Sequence, residues 1–359
     1  VKSYAAMRKF STARDADGIV RLQLNNRDLF MFGPLDQGWW PDGLYTAPTD
    51  EALEYDVIKT KQWGFNMIRK HVKVEPARWY THCDRHGIIV WQDMPSSTGG
   101  PQWQMEQYFD GAEWQRSPES EADFRKEWQE IMDYLYSNPC IGVWVPFNEA
   151  WGQFETAEIA QWTKTHDPTR LVNPASGGNH YPCGDMLDLH HYPDPEMYLY
   201  DAKRATVLGE YGGIGMAAEG HLWEPDRNWG YVQFKTPAEV TEAYLRYTGM
   251  LLNIGTLVAM VLSDSPVVLF ASLFVMGLGI ANIAPVLISA ASSVKGCDPT
   301  AAITTVTTIG YGGLMAGPAL LGFIAQHKSL ETAFLFIAAL LMMALLNEIR
   351  VSRQLTAKS

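Results

Sequence analysis

The sequence predicts an α/β fold: an incomplete (β/α)8 TIM barrel lacking its eighth strand, followed by an all-α transmembrane segment of three to four helices. Three observations predict it. Short apolar and β-branched runs alternate with helical stretches of ten or more residues up to Tyr247, the pattern of a parallel sheet. Seven such runs follow in unbroken succession, which favours a barrel over an open sheet. Beyond Met250 the chain turns into long apolar runs without tryptophan, and about 20 apolar residues cross a bilayer as a helix.

The elements follow in order. Residues 1–10 read as a short strand end. Residues 29–32 predict the first barrel strand, stopped by Gly33-Pro34. Residues 49–62 predict a helix capped by Thr49, and 66–69 the second strand. Residues 75–86 are helical, with Trp79, His82, Cys83 and His86 along one side. Gly87 closes that helix, and 88–91 is the third strand. A helix over 123–136 leads to the fourth strand, 141–147. A helix over 156–166 ends at Asp167-Pro168. Residues 171–175, 187–190 and 206–209 are strands five to seven, and 237–247 is the next helix. The eighth strand should follow and has no counterpart, which leaves an open seam.

The tail is different. Residues 250–262 are apolar over half a span; 266–291, 300–325 and 332–346 are longer runs. Gly310, Gly312, Gly313 and Gly317 fit closely packed membrane helices. The chain carries 28 basic and 40 acidic residues, a net charge of −12. The tail holds few charges, nearly balanced, so the acidity belongs to the head and excludes a nucleic-acid partner. The cysteines Cys83, Cys140, Cys183 and Cys297 are widely spaced and predict no disulfide framework.

Two carboxylates carry the chemistry. Glu149 follows the fourth strand and Glu210 the seventh, so both reach the mouth where barrel sites form. Glycosidic hydrolysis needs two such groups, one protonating the leaving oxygen and one attacking. Asn148, beside the first, can hydrogen-bond a sugar 2-hydroxyl. Arg69 ends strand two and Asp93 lies past strand three; either can hold carboxylates or sugar hydroxyls. His190 and Tyr192 follow strand six and can orient Glu210. Trp39, Trp40, Trp103 and Trp151 lie in loops, and Trp151 is the candidate for stacking on a sugar ring. His82 and His86, four apart, suggest zinc only superficially, because their turn faces the other end of the barrel. No metal and no cofactor is expected.

The segments FGPLDQGWWPDG, GFNMIRKHVKVEPARWYTHCDRHGIIVWQDMP, NPCIGVWVPFNEAWGQ, LDLHHYPDP and VLGEYGGIG resemble glycoside hydrolase family 2, and its β-galactosidases in particular. The resemblance implies a retaining β-glycosidase with Glu149 as acid/base and Glu210 as nucleophile, acting on a carbohydrate substrate. It also implies that residues 1–10 are a remnant of an immunoglobulin-like sandwich, that 11–250 form the barrel, and that 251–359 lie outside it. The tail segments FVMGLGIANIAPVLISAASS and TTIGYGGLMAGPALLGFIAQ resemble the last helices of the major facilitator superfamily. That implies a membrane location through the tail, with Lys295, Arg350, Arg353 and Lys358 on the cytoplasmic side.

Three readings stay open. The chain is a glycosidase joined to a membrane piece, a fragment of a membrane transporter, or a chimera of two gene fragments with little activity as given. The abrupt change at residues 249–253, with no Gly/Ser/Pro linker, favours the chimera as the account of the architecture.

Overall fold

The computed structural model describes residues 3–95, 99–222, 224, 227–245, 247, 323, 324 and 326–328. Apart from residues 323 and 324, the expected membrane helices of the tail lie outside these residues. Among the described residues no helix is long and apolar enough to cross a membrane.

The first compact unit covers residues 1–192 and 196–211. It opens with an antiparallel sheet of β1 (Phe10–Arg14), β2 (Val20–Leu24) and β3 (Arg27–Asp28). The sequence reading had only a strand end here. Phe10, Val20 and Leu22 are buried against Met67, Ile89, Val143, Leu171, Met186 and Ala205. Met67, Ile89, Leu171, Met186 and Ala205 open their strands, so the hairpin plugs the N-terminal end of the barrel. Each such side chain contributes about 1.5–3 kcal/mol by leaving water. Gly142 is obligatory beneath the plug, since a Cβ there would press on the Phe10 ring.

The parallel strands follow: β4 (Leu35–Asp36), β5 (Met67–Lys70), β6 (Ile89–Asp93), β7 (Ile141–Val145) and β8 (Leu171–Val172) form one sheet in that order. β9 (Met186–His191) and β10 (Ala205–Tyr211) pair beside it. Ser176 bridges both Asn148 and Asp188 in parallel register. The segment after β8 therefore joins the two sheets into one arc of seven parallel strands. Among the described residues nothing pairs with its outer edges at β4 and β10.

The first barrel strand is displaced from its expected place at 29–32. Gly33-Pro34 does not stop it; the extended chain runs through them, with Phe32, Pro34 and Asp36 carbonyls accepting from Asn66, Arg69 and His71. Pro34 contributes only its carbonyl, which is all this edge requires. A side chain at Gly33 would collide with the Met67 backbone.

The helices are α1 (Asp50–Gln62), α2 (Ala77–His86), α3 (Pro118–Leu135) and α4 (Thr156–His166). Thr49 caps α1 by accepting from the Ala52 amide at 3.2 Å, with Asp50 and Glu51 in the first turn and Lys59 and Lys61 in the last, complementing the helix dipole. Gly87 ends α2 at φ 68°, a left-handed cap that glycine adopts without strain. α3 begins five residues before its expected start, because Ser117 caps it and Pro118 sits at its first position. Alternate strand residues face opposite layers. Ile68, Val90 and Trp144 pack outward with Trp79, Trp128 and Phe124 of the helices, whereas Met67, Trp91 and Val143 face the barrel interior.

The second unit comprises residues 193–195 and 212–359. Within it β11 (Ile214–Met216) and β12 (Val232–Phe234) pair in parallel, and residues 237–245 are helical.

Candidate active site

Strand ends of the first unit bring the carboxylates together. After β7 the backbone turns sharply: Glu149 has φ 48° and Ala150 φ 65°. Left-handed conformations at non-glycine residues cost of order 1–3 kcal/mol and persist only where the surroundings impose them. The Glu149 amide donates to Ser176 O at 2.8 Å, and Gly100 lies so close to the Ala150 carbonyl that a Cβ would collide. Glu210 sits just past a bulge in the β9–β10 ladder, between Leu208 and Glu210. Such a bulge re-aims the side chain that follows it.

Arg69 ties the site together. Its guanidinium donates to Asp93 at 3.1 and 2.9 Å, to Asn148 Oδ1 at 2.8 Å and to Glu210 Oε1 at 2.7 Å. Burial opposes its charge, but Asp93, Glu210 and Asp188 outweigh burial and raise its proton affinity. Tyr192 Oη donates to Glu210 Oε2 at 2.5 Å. His190 Nδ1 lies 3.0 Å from Glu149 Oε1 and 3.4 Å from Glu210 Oε2. Glu149, His190 and Glu210 thus offer atoms all within 4.8 Å of one another. That spacing could hold a cation, but the Arg69 guanidinium already occupies Glu210 and opposes a second positive charge.

Burial raises the proton affinity of the Glu149 carboxyl, and Arg69 and His71 offset only part of this. The His190 imidazole is held down at about 4 by burial, against the pull of Glu210 and Asp188. It therefore remains neutral near pH 7.

Arg69, Asp93, Asn148, Glu149, Trp151, His190, Tyr192 and Glu210 fall in this region, but not all at its surface. Arg69, Asp93 and His190 are buried, so they hold other side chains and do not line the opening. Both Asp93 oxygens are engaged, by Arg69 and by the Val72 amide at 3.2 Å. Asn148 Nδ2 is buried with no hydrogen-bond partner among the described residues. Trp151 is 43% exposed and, with Gly99, Gly100, Pro101, Trp103, Glu149 and Ala150, lines a cavity of about 350 Å³. Trp103 is fixed by donating to Gly177 O at 3.0 Å. His82 and His86 face Asp50 and Glu54 of α1, away from the site.

Sequence reasoning missed His71, Ser176 and Asp188. His71 Nε2 lies 3.8 Å from Glu210 Oε1, and its ring meets Trp151 edge-on at 6.1 Å. Asp188 had a signal: it precedes His190 and Tyr192 at a spacing of two, so Asp188 and His190 share one face of β9 and Tyr192 lies just past its end.

Residues 22–212 match the family model "Glycosyl hydrolases family 2, TIM barrel domain", more than half of the chain. The chain belongs to glycosyl hydrolase family 2. A Yersinia enterocolitica protein named beta-galactosidase is 30% identical over 142 residues, 39% of this chain and 13% of that protein. An uncharacterized MFS-type transporter of Yersinia pestis is 39% identical over 89 residues, 25% of this chain and 23% of the transporter. The chain thus spans under a quarter of the length of either relative. Among solved structures, a family 2 beta-galacturonidase from Eisenbergiella tayi bound to galacturonate is 17% identical, with a TM-score of 0.48 over 69% of this chain and 44% of that one. A Bacteroides uniformis beta-glucuronidase is 19% identical, with a TM-score of 0.48 over 67% of this chain and 31% of that one.

Proposed function

We propose that the family 2 barrel of this chain is a retaining β-glycosidase that removes terminal β-linked sugars, with Glu149 as acid/base and Glu210 as nucleophile. The observation that carries the reading is the spacing of the two carboxylates, whose facing oxygens lie within 4.8 Å. Retaining glycosidases hold their carboxyl groups about 5–5.5 Å apart, whereas inverting ones leave about 6.5–9.5 Å for a water.

The roles follow from the surroundings. Glu149, whose proton affinity burial raises, donates its proton to the departing oxygen. Glu210, aimed by Arg69 and Tyr192, attacks the anomeric carbon as the glycosidic C–O bond breaks. Water, giving a proton to Glu149, then cleaves the glycosyl ester and frees Glu210. The two donor hydrogens on Asn148 Nδ2, without a partner among the described residues, suit a sugar hydroxyl. The cavity beside Glu149, walled by Trp103 and Trp151, suits a sugar or aryl ring. No cofactor enters these steps. Galactose is the first sugar to test, in view of the relative named beta-galactosidase.

The test is covalent trapping. A 2-deoxy-2-fluoro-β-galactoside with a good leaving group should add one fluorosugar to the peptide containing Glu210, read by mass spectrometry. Glu210→Gln should abolish the adduct. An adduct on another residue, or an adduct that survives the substitution, overturns the assignment.

A second reading concerns the tail, and the 39% identity to a transporter favours it. We assign that match to the apolar region after Met250, as three to four membrane-crossing helices that place the chain at a membrane. The switch at residues 249–253 then joins two gene fragments. One continuous DNA read across the codons for 244–264 tests the join; a break there separates two proteins.

A further inference from the structure

His190 sits between demands that no single protonation pattern meets. Its Nε2 lies 2.8 Å from Ser176 Oγ and 3.2 Å from Arg69 Nη1. Ser176 Oγ is also 2.6 Å from Asp188 Oδ2. A serine hydroxyl has one hydrogen. Asp188 Oδ2 already accepts from Asn173 Nδ2 at 2.6 Å, so the same oxygen acts as acceptor toward Ser176 and takes that hydrogen. Ser176 Oγ can then only accept from Nε2, which requires hydrogen on Nε2. Arg69 has only donors, so its contact requires a lone pair on the same nitrogen.

The carboxylates decide between the two. With hydrogen on Nε2, Nδ1 is an acceptor, and Glu149 3.0 Å away fits it only when it carries its proton. With hydrogen on Nδ1, that hydrogen meets ionised Glu149, and Nε2 accepts from Arg69. The ring cannot escape by swinging, because it lies against the Gly177 backbone, where a Cβ would overlap it. Gly209 likewise leaves room for the Asp188 carboxylate. The other titratable groups around the ring are Glu210 near Nδ1, His71 and Tyr198.

Resting on the glycosidase reading of Glu149, we propose that His190 is a two-state tautomer switch that follows the acid/base proton, with Ser176 and Asp188 as positioning residues that hold the acid state and Arg69 holding the base state. The neutral ring carries one hydrogen in both states. Glu149 and His190 together hold two protons in the acid state and one in the base state, and the ring hydrogen moves between nitrogens by exchange with solvent water. A retaining enzyme needs Glu149 in both states within one turnover, and this arrangement gives Glu149 a matched partner at His190 Nδ1 in each.

The test is 15N NMR of the full chain labelled at histidine, which separates the tautomers of His190 whether or not the chain turns over. The expected result is hydrogen on Nε2 at low pH and on Nδ1 at high pH, with the midpoint of the Glu149 carboxyl and no imidazolium between. Ser176→Ala should keep hydrogen on Nδ1 throughout and lower the Glu149 midpoint by about one pH unit, a tenfold change in its protonation equilibrium. Ser176→Thr, which keeps the hydroxyl, should restore the switch. One tautomer across the whole range in the unsubstituted chain, or an unmoved midpoint in Ser176→Ala, overturns the proposal. In kinetics the alkaline limb of kcat/KM should fall with the same midpoint; a lower kcat with the limb unmoved marks a merely structural serine and also overturns it. Failure of the glycosidase reading shows separately, as absence of the Glu210 adduct while the NMR switch stands.

Discussion

Arg69 and Arg170 are both almost wholly buried, each beside a buried aspartate, at opposite ends of the barrel strands. Arg170 donates to Asp167 at 2.5 Å and to the carbonyls of Ile141, Tyr136 and Asn138 at 3.0, 2.7 and 2.8 Å. Asp167 also accepts from Trp144 Nε1 at 2.9 Å. Its hydrogen bonds from Thr169, Arg170 and Trp144 overcome burial and hold its carboxyl below the ordinary range. Here most of the guanidinium's partners are fixed backbone. Arg69 instead holds side chains from three other strand ends, Asp93, Asn148 and Glu210. The first network is closed and locks the bottom of the barrel. The second is unfinished, with an Asn148 amide that has no partner among the described residues and two carboxylates in reach of each other. The difference teaches where buried charge is structural and where it is held ready for a substrate.

The same carboxylate-to-amide change at each end should break the comparison into two phenotypes. Glu210→Gln removes the proposed nucleophile, and hydrolysis of an aryl β-galactoside should fall by at least about 10⁴-fold. Its urea midpoint should stay within about 1 kcal/mol of the parent, because Arg69 keeps its buried countercharge at Asp93. Asp167→Asn should do the reverse. It leaves Arg170 without a countercharge and should cost about 3–5 kcal/mol, with the fluorosugar adduct still forming in the folded fraction. Equal loss of stability in both variants would show that the upper network is structural as well.

The lower network and the carboxylates differ in how far the sequence reveals them. Glu149 and Glu210 were legible because each directly follows an apolar strand run, and strand ends at a barrel mouth are where such groups act. Helix limits were legible where caps are local, as at Thr49, Gly87 and Asp167. The first strand was misplaced because Gly33-Pro34 reads as a stop, whereas only the neighbouring Met67 backbone shows why glycine and proline fit an extended edge. Ser176 was invisible for a related reason. It matters through contacts with Asp188 and His190, and a serine in an Ala-Ser-Gly-Gly loop gives no sign of those partners. The β1–β2 plug went unread because its few apolar residues acquire meaning only against the barrel floor.

A second prediction separates the two ends by pH. His190, in the site, and His180, under the loop that carries Trp103, are both lowered to about 4 by burial. An unfolded histidine titrates near 6.5. Between about 4 and 6.5 the unfolded chain therefore binds protons that the folded chain refuses, and stability should fall as pH drops through that window. Each histidine contributes on the order of 3 kcal/mol to the fall. Asp167 acts in a lower window. Its depressed carboxyl stabilises the fold above the unfolded value, and that stability is lost as pH falls through its folded value. Urea midpoints from pH 7 to pH 3 should show these steps in turn, and His180→Phe should shrink the upper one by about half. A flat profile between pH 6.5 and 4 would mean that neither ring is held neutral.

The smallest effect is expected between α1 and α2, where charged groups meet at the surface. Glu54 Oε1 lies 2.7 Å from His86 Nε2 and 3.4 Å from His82 Nδ1, with Asp50 3.3 Å from His82 Nε2. Two histidines one helical turn apart suggest a metal, but here the acidic partners come from the facing helix and serve as counter-ions. Glu54 and His86 are about one-third exposed, so solvent screens the pair and it adds little stability. Glu54→Gln should shift the urea midpoint only slightly, with the effect shrinking further in 1 M salt. Adding zinc should leave the midpoint of the parent unchanged. A zinc-dependent rise would convert this pairing into a ligand set, since a metal bound only to the folded state stabilises it by mass action, and this surface would then join the mouth of the barrel as a place where charge is held for a ligand.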